Sequence, residues 1–351
     1  MSPLTLSLWA GFVIGIAFGI TVQRTGFCLN TAFRGLWVTG DNRKLSAFLL
    51  AMAVALLITQ ASETYSVIDL SRSIYLSAPF SWFVIPLGGV LFGYGMIASN
   101  GCGARSLVLL GAGNLRSFVV LLCLGIAAYA TLSGVFAPAR TALAAPTTLT
   151  FDKLPSIPRY LETWLSPSAA RMLPAILLAL IFVIVAFRND TFRASPRDIV
   201  GGAVVGLLIV AGWLATGYFG KDDFEPGPVA SLTFIAPVGE TIQYAMLATG
   251  ARMSFGVAVI CGVFLGALGA ALFTRTYELQ GFSRPTQMLR YMAGGAMMGA
   301  GGAMALGCSI GQGLTGFSTL AFSSFLAMAG IALGASLALR GPLSLPELPK
   351  S

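Results

Sequence analysis

The sequence contains no histidine. The commonest metal ligand and the usual proton shuttle near neutral pH are therefore missing. Charge is scarce as well: 13 acids and 21 bases make up 10% of 351 residues, where soluble domains carry about 25%. Such a chain cannot clothe a water-facing surface, and it leaves no room for a sizeable extramembrane domain. Five cysteines occur in or beside apolar segments without CxxC spacing, which argues against a zinc site or a disulfide framework. Neither metal nor cofactor is expected. No Asp or Glu falls in the middle of a regular apolar run, and Glu240 is the only acid at membrane depth. Proton- and sodium-coupled carriers bury such carboxylates, so a passive facilitator or relay path fits better. Residues 1–22 lack a basic leader region and an A-x-A-type cleavage site, and read as a first span rather than a signal peptide.

What is present is apolar: 56% hydrophobic residues, 42 glycines and a mean hydropathy of +0.83. A span needs about 20 largely apolar residues, which places spans near 4–23, 45–62, 81–99, 115–137, 171–187, 199–218, 254–274, 290–306 and 318–339. The stretch 229–250 is interrupted by Pro237, Gly239 and Glu240 and reads as a re-entrant or broken helix, acceptable only where protein shields its backbone. The expected fold is an all-α integral membrane protein of about nine transmembrane helices plus re-entrant short helices, forming one polytopic domain over 1–351. The net charge of +8 forms no basic stripe, so no nucleic-acid partner is expected. With the N-terminus outside, 14 Lys and Arg residues fall on inward connections and 7 on outward ones. Positive residues are retained in the cytoplasm, so this bias predicts N-out and C-in. Trp9, Trp82 and Trp213 lie near span ends, where an interfacial belt would put them.

One pattern recurs. Gly88-Gly89-xxx-Gly93-x-Gly95-x5-Gly101-Cys102 reappears at an offset of 206 as Gly294-Gly295-xxx-Gly299-x-Gly301-x5-Gly307-Cys308. The two copies run in opposite directions in the nine-span topology, an inverted repeat of the kind common in transporters. Pseudo-repeats of about 1–140 and 170–340 would be joined by an outward loop near 138–170. A second match, Gly11 and Gly15 against Gly262 and Gly266, joins spans of the same direction and reads as small-residue packing.

The cysteines of three segments, TGFCLN (25–30), NGCGARS (100–106) and LGCSIGQG (306–313), stand with glycines and small polar residues just beyond apolar helices. There the following short helix would expose backbone N–H groups, which attract anions. A thiol adds a soft, polarizable, weak donor suited to a sulfur atom. Cys102 and Cys308 follow from the repeat, with further substrate-loop contacts at Gly101, Gly103, Arg105, Ser106, Gly307, Ser309 and Gln312. Cys123 and Cys261 lie in featureless runs and read as small hydrophobes. Two other classes remain open. A membrane enzyme could carry sulfane sulfur on Cys102 or Cys308, which needs a thiolate beside a base or strong positive field. A soft-metal channel would need methionines clustered at the cysteines, whereas those here are scattered.

At these residues the chain resembles the YeeE/YedE family of bacterial inner-membrane sulfur transporters. The likeness rests on QRTGFCL (23–29), the GGxxFGxG…GCG block (88–103) and the GGxxxGxG…GCSIGQGL block (294–314). It implies a pseudo-symmetric helical fold, thiosulfate as the substrate, and functional cysteines at Cys28, Cys102 and Cys308 along its path. It also implies an inner-membrane, non-enzymatic permease that works with a small TusA-like carrier protein on the cytoplasmic side. Relatives that handle selenium or other sulfur species are not distinguished by any residue here.

Overall fold

Inside a bilayer no water satisfies backbone N–H and C=O groups, so apolar runs close their hydrogen bonds locally and become helices. The computed structural model describes residues 2–76, 80–150, 153–221 and 229–345. The helices of these residues are α1 (Pro3–Thr25), α2 (Leu29–Arg34), α3 (Arg43–Thr64), α4 (Val84–Ala98), α5 (Gly103–Gly111), α6 (Leu115–Leu132), α7 (Ala137–Ala144) and α8 (Ile157–Leu161). They continue with α9 (Pro167–Phe187), α10 (Asp190–Arg193), α11 (Pro196–Gly217), α12 (Ala236–Leu247), α13 (Phe255–Phe273), α14 (Pro285–Met304) and α15 (Phe322–Leu339). A π turn (Gly311–Gly316) and a 3-10 turn (Phe317–Thr319) precede α15, and the two-residue strands Phe80–Ser81 and Thr148–Leu149 pair antiparallel.

The protein is thus an all-α membrane protein. Among the described residues, 8 helical stretches are long and apolar enough to cross a bilayer. The first runs from Pro3 to Thr39 and the third from Val84 to Gly111, because α1 and α4 each continue past a break into a second short helix. The remaining expected span, 290–306, is the 20-residue α14. It lies between α4 and α6, so protein surrounds much of its glycine-rich surface. The stretch 229–250 is only partly helical, but not where its sequence suggested: Pro237, Gly239 and Glu240 lie inside α12, which starts at Ala236, and the non-helical part ahead of it is 229–235. The tryptophan expectation needs one correction. Trp9 and Trp82 are exposed, but Trp213 is fully buried and donates its indole N–H to Ser318 Oγ at 3.2 Å. Its ring fills the space beneath the 3-10 turn instead of meeting the interface.

Glycine contacts set the helix crossings. A side chain on Gly88 would strike the Gly301 carbonyl and one on Gly301 the Gly88 carbonyl, each at 2.6 Å; Gly95 and Gly294 are reciprocal in the same way. Helices α4 and α14 therefore cross antiparallel through the repeated motif. The flanking partners repeat as well. Gly89 and Gly93 face the Ala327 and Ile331 carbonyls of α15, while Gly295 and Gly299 face the Val120 and Leu124 carbonyls of α6. The two copies of the motif thus exchange equivalent packing partners. By contrast, α1 and α13 run parallel, with Gly15 against Val259 to Val263 and Gly262 against Phe12 to Ile16. The second glycine match is close helix packing.

Candidate functional site

Cys28 and Cys102 hold one local position, the N-cap of a short helix after a break, and Cys308 stands three residues ahead of the π turn, whose N-cap is Ile310. α1 ends on Gly26 in the left-handed conformation, and Cys28 is extended as the N-cap of α2. α4 ends before Asn100 at φ 60°, and Cys102 is the extended N-cap of α5. α14 ends before Leu306 at φ 59°, the position equivalent to Asn100. Two backbone bonds recur at equivalent positions of the two repeated loops. Gly101 N donates to Met96 O at 3.1 Å and Gly307 N to Gly302 O at 2.9 Å. Ser106 N donates to Cys102 O at 2.8 Å, and Gln312 N to Cys308 O at 2.7 Å. Each cysteine thus stands at the N-terminal end of a helical turn, where unpaired N–H groups carry partial positive charge.

Cys28 and Cys102 meet. Their Sγ atoms are 3.8 Å apart and both residues are buried, so one thiol can donate weakly to the other. Cys308 is also buried and accepts the Gly311 N–H on Sγ at 3.2 Å. The non-helical segment ahead of α12 lies between the two loops. The Phe234 carbonyl oxygen lies 3.8 Å from where a Gly103 side chain would begin, while Thr233 and the Phe234 backbone face the Cys308 thiol. Phe234 also packs on Phe18 with ring centroids 5.2 Å apart, and Thr315 Oγ1 anchors the segment by donating to Leu232 O at 2.7 Å.

The other expected contacts divide. Ser309 Oγ is buried without a hydrogen-bond partner. Gln312 is occupied at both ends, giving Nε2 to Ala305 O at 2.6 Å and receiving Ser324 Oγ on Oε1 at 2.7 Å. It braces the π turn against the end of α14. Gly101 and Gly307 form the breaks, and Gly103 lets α5 approach Leu124 and Phe234. Arg105 and Ser106 line a cavity of about 290 Å³ whose walls also include Asn30, Arg34 and Arg116. Its lining takes in Asn30 and Thr31 after Cys28 and both Asn100 and Arg105 around Cys102, and no Asp or Glu lines it. Among the described residues no group of three or more His, Cys, Asp or Glu is placed to hold a metal ion.

Asn30, Arg34, Arg116, Thr233 and Phe234 were not singled out from the sequence. The first two follow Cys28 on α2, so a helix beginning there would have flagged them. The others arrive from distant segments and carry no local signal.

A buried ion pair fixes the Cys28 loop. Lys44 Nζ donates to both Thr25 O and Asp198 Oδ1 at 2.6 Å, and Asp198 is only 5% exposed. Lys44→Met is expected to lower stability by about 3 kcal/mol, because it strands a buried carboxylate. The Lys44→Met, Asp198→Asn double variant should recover part of that loss. Thermal unfolding in detergent measures both, and a double variant no more stable than the single one would refute the assignment.

Residues 24–337 match the family described as sulphur transport. The chain is 28% identical to the thiosulfate transporter TsuA of Spirochaeta thermophila, with 93% of this chain and 96% of that protein covered. It is 22% identical to the thiosulfate transporter TsuA of Escherichia coli over 93% and 92% of the two chains. A shorter stretch, 27% of this chain and 22% of the other, is 28% identical to a probable transporter, YedE, of E. coli.

Proposed function

The chain belongs to the sulphur transport (YeeE/YedE) family, and from that premise we propose that it is an inner-membrane uptake permease for thiosulfate or a closely related sulfur-containing anion. Cys28, Cys102 and Cys308 mark the path. The observation that carries this reading is the contact of the Cys28 and Cys102 thiols at 3.8 Å, at the openings of two short helices. A soft sulfur atom can exchange weak S–H···S contacts with these thiols while its oxygens face helix N-termini. Weak, serial contacts suit a ligand that must bind and also leave. Relatives named as thiosulfate transporters support the substrate class, and no covalent product is required, so the protein acts as a carrier rather than an enzyme.

The N-terminus lies outside and the C-terminus in the cytoplasm, a polarity supported by the excess of Lys and Arg on inward connections. Pseudo-repeats of about 1–140 and 170–340 then stand inverted, joined by the outward segment 138–170. Cys308 meets the anion nearer the outside and the Cys28–Cys102 pair nearer the cytoplasm. A TusA-like carrier protein would collect the sulfur there.

Proteoliposomes holding the purified protein should take up labelled thiosulfate in a saturable manner that strong chelators leave unchanged. Cys308→Ala should slow uptake about tenfold, the effect of losing about 1.4 kcal/mol of selective contact. Parental uptake by Cys308→Ala would remove that residue from the path, and inhibition by chelators would favour a metal substrate.

A further inference from the structure

The arginine-lined cavity next to the thiol pair is not needed to explain sulfur recognition, yet its construction is specific. Three guanidinium groups reach it from three elements: Arg34 from α2, Arg105 from α5 and Arg116 from α6. Each is positioned by a main-chain carbonyl from another part of the chain. Arg34 Nη2 donates to Ile97 O at 3.2 Å, Arg105 Nη1 to Val22 O at 3.3 Å, and Arg116 Nε to Gly281 O at 2.6 Å. A guanidinium carries five N–H donors, so Arg105 and Arg116, held in this way, still offer a fork to a ligand. Asn30 provides the second observation. It is 2% exposed, lines the same cavity, and its Oδ1 has no hydrogen-bond partner. The oxygen and nitrogen of an amide are assigned from their hydrogen-bond partners, and with none at Oδ1 the Asn30 NH₂ can take that position as a further donor.

The balance of charge decides what such a cavity accepts. Arg116 is only 9% exposed, and a cation withdrawn from water is costly unless an anion accompanies it. With no carboxylate in the lining, a ligand must supply the negative charge. Planar forks converging with an amide match the oxygens of a tetrahedral anion. The volume also suffices for such an ion with part of its hydration shell, a water occupying about 30 Å³.

We infer that this cavity is a separate binding site for a doubly charged tetrahedral oxyanion, placed beside the Cys28–Cys102 pair and selective for charge and oxygen rather than for sulfur. The inference rests on the permease reading for its place on the path, but the site itself does not require that reading. It divides the labour of recognition. The thiols test for a terminal sulfur atom, and the arginines retain any dianion of the right shape. Sulfate, which lacks the terminal sulfur, therefore binds the cavity without being carried through.

The test uses the full-length protein in detergent with sulfate as the probe. Sulfate, but not chloride at matched ionic strength, should raise the unfolding midpoint of the parent and of Cys102→Ala. Arg105→Gln and Arg116→Gln should each weaken the sulfate effect about tenfold or more, and Arg105→Lys should retain part of it. Labelling of the parent with phenylglyoxal, read by mass spectrometry, needs no variant to fold. Sulfate should protect Arg34, Arg105 and Arg116 several-fold while leaving the exposed Arg275 and Arg284 unprotected. Equal protection at all five arginines, or an unchanged sulfate effect in both glutamine variants, would overturn the site. Thiosulfate uptake by the parent and its loss in Cys102→Ala judge the permease reading independently, so either conclusion can fail alone.

Discussion

Cys102→Ala is expected to reduce thiosulfate uptake by a factor of ten to a hundred while leaving the protein folded. The thiol is 2% exposed and faces Cys28 Sγ at 3.8 Å, so removing it deletes one of two soft donors where the openings of α2 and α5 meet. Loss of a contact that a buried ligand needs costs about 1–3 kcal/mol, which is roughly that range in rate. The fold should survive because the loop is held by backbone bonds that need no thiol: Gly101 N to Met96 O and Ser106 N to Cys102 O. Cys28→Ala should behave alike, since the two sulfurs form one contact. Cys102→Ser separates sulfur chemistry from shape. It keeps a hydrogen-bond donor of similar size but lacks the soft acceptor, and should remain well below the parent. Cys123→Ala and Cys261→Ala, both half-buried on regular helices, should transport at the parental rate. Initial rates in proteoliposomes with matched protein content would settle the matter, and full activity of both Cys28→Ala and Cys102→Ala would end the cysteine-path reading.

The largest effect on stability should come from the glycines of the repeated motif. In Gly93→Val the new Cβ would strike the Ile331 carbonyl, and in Gly299→Val the Leu124 carbonyl, in each case closer than van der Waals contact allows. Backbone rather than a flexible side-chain end is the obstacle, so the helices must separate to make room. Overpacking of this kind costs about 1–3 kcal/mol and sometimes more, and here it also breaks glycine-mediated close approach that drives helix association in lipid. Both variants should lose most of the monodisperse peak in size-exclusion chromatography and melt well below the parent. Equivalence is the sharper part of the prediction: the two sites are related by the 206-residue offset and should suffer comparably. Gly269→Ala provides the contrast. Nothing lies within 4 Å of its added Cβ, and it sits within α13, so alanine should stabilise by about 0.5–1 kcal/mol. If Gly93→Val and Gly299→Val melt with the parent, these crossings do not hold the repeats together.

Much of this architecture was legible before any coordinates. The absence of charge and the apolar runs require membrane helices. Gly88 to Cys102 and Gly294 to Cys308 carry the same string, and a string of small residues ending in a turn folds the same way twice. Its hydrogen bonds join residues only four or five positions apart, so local sequence suffices to build each loop. Segment ends were less legible. Expected spans 115–137 and 318–339 became Leu115–Leu132 and Phe322–Leu339, since apolar residues occur equally in helices and in the turns capping them.

What the chain alone could not reveal is convergence. Cys28 and Cys102 are 74 positions apart, and nothing in either segment announces the other. Their meeting depends on where α1, α5 and α13 pack together, which the glycine contacts set only once all helices are packed. The same holds for Trp213, buried under a turn it follows by no local rule, and for Thr233 and Phe234, which reach Cys308 from the non-helical segment ahead of α12. Arg105 was a candidate loop contact from its place beside Cys102, whereas Arg34 and Arg116 of the same cavity looked like scattered topogenic charges. Local backbone bonding is short-ranged and can be read residue by residue, whereas the site is a property of helix crossings, and only tertiary packing brings its donors to one place.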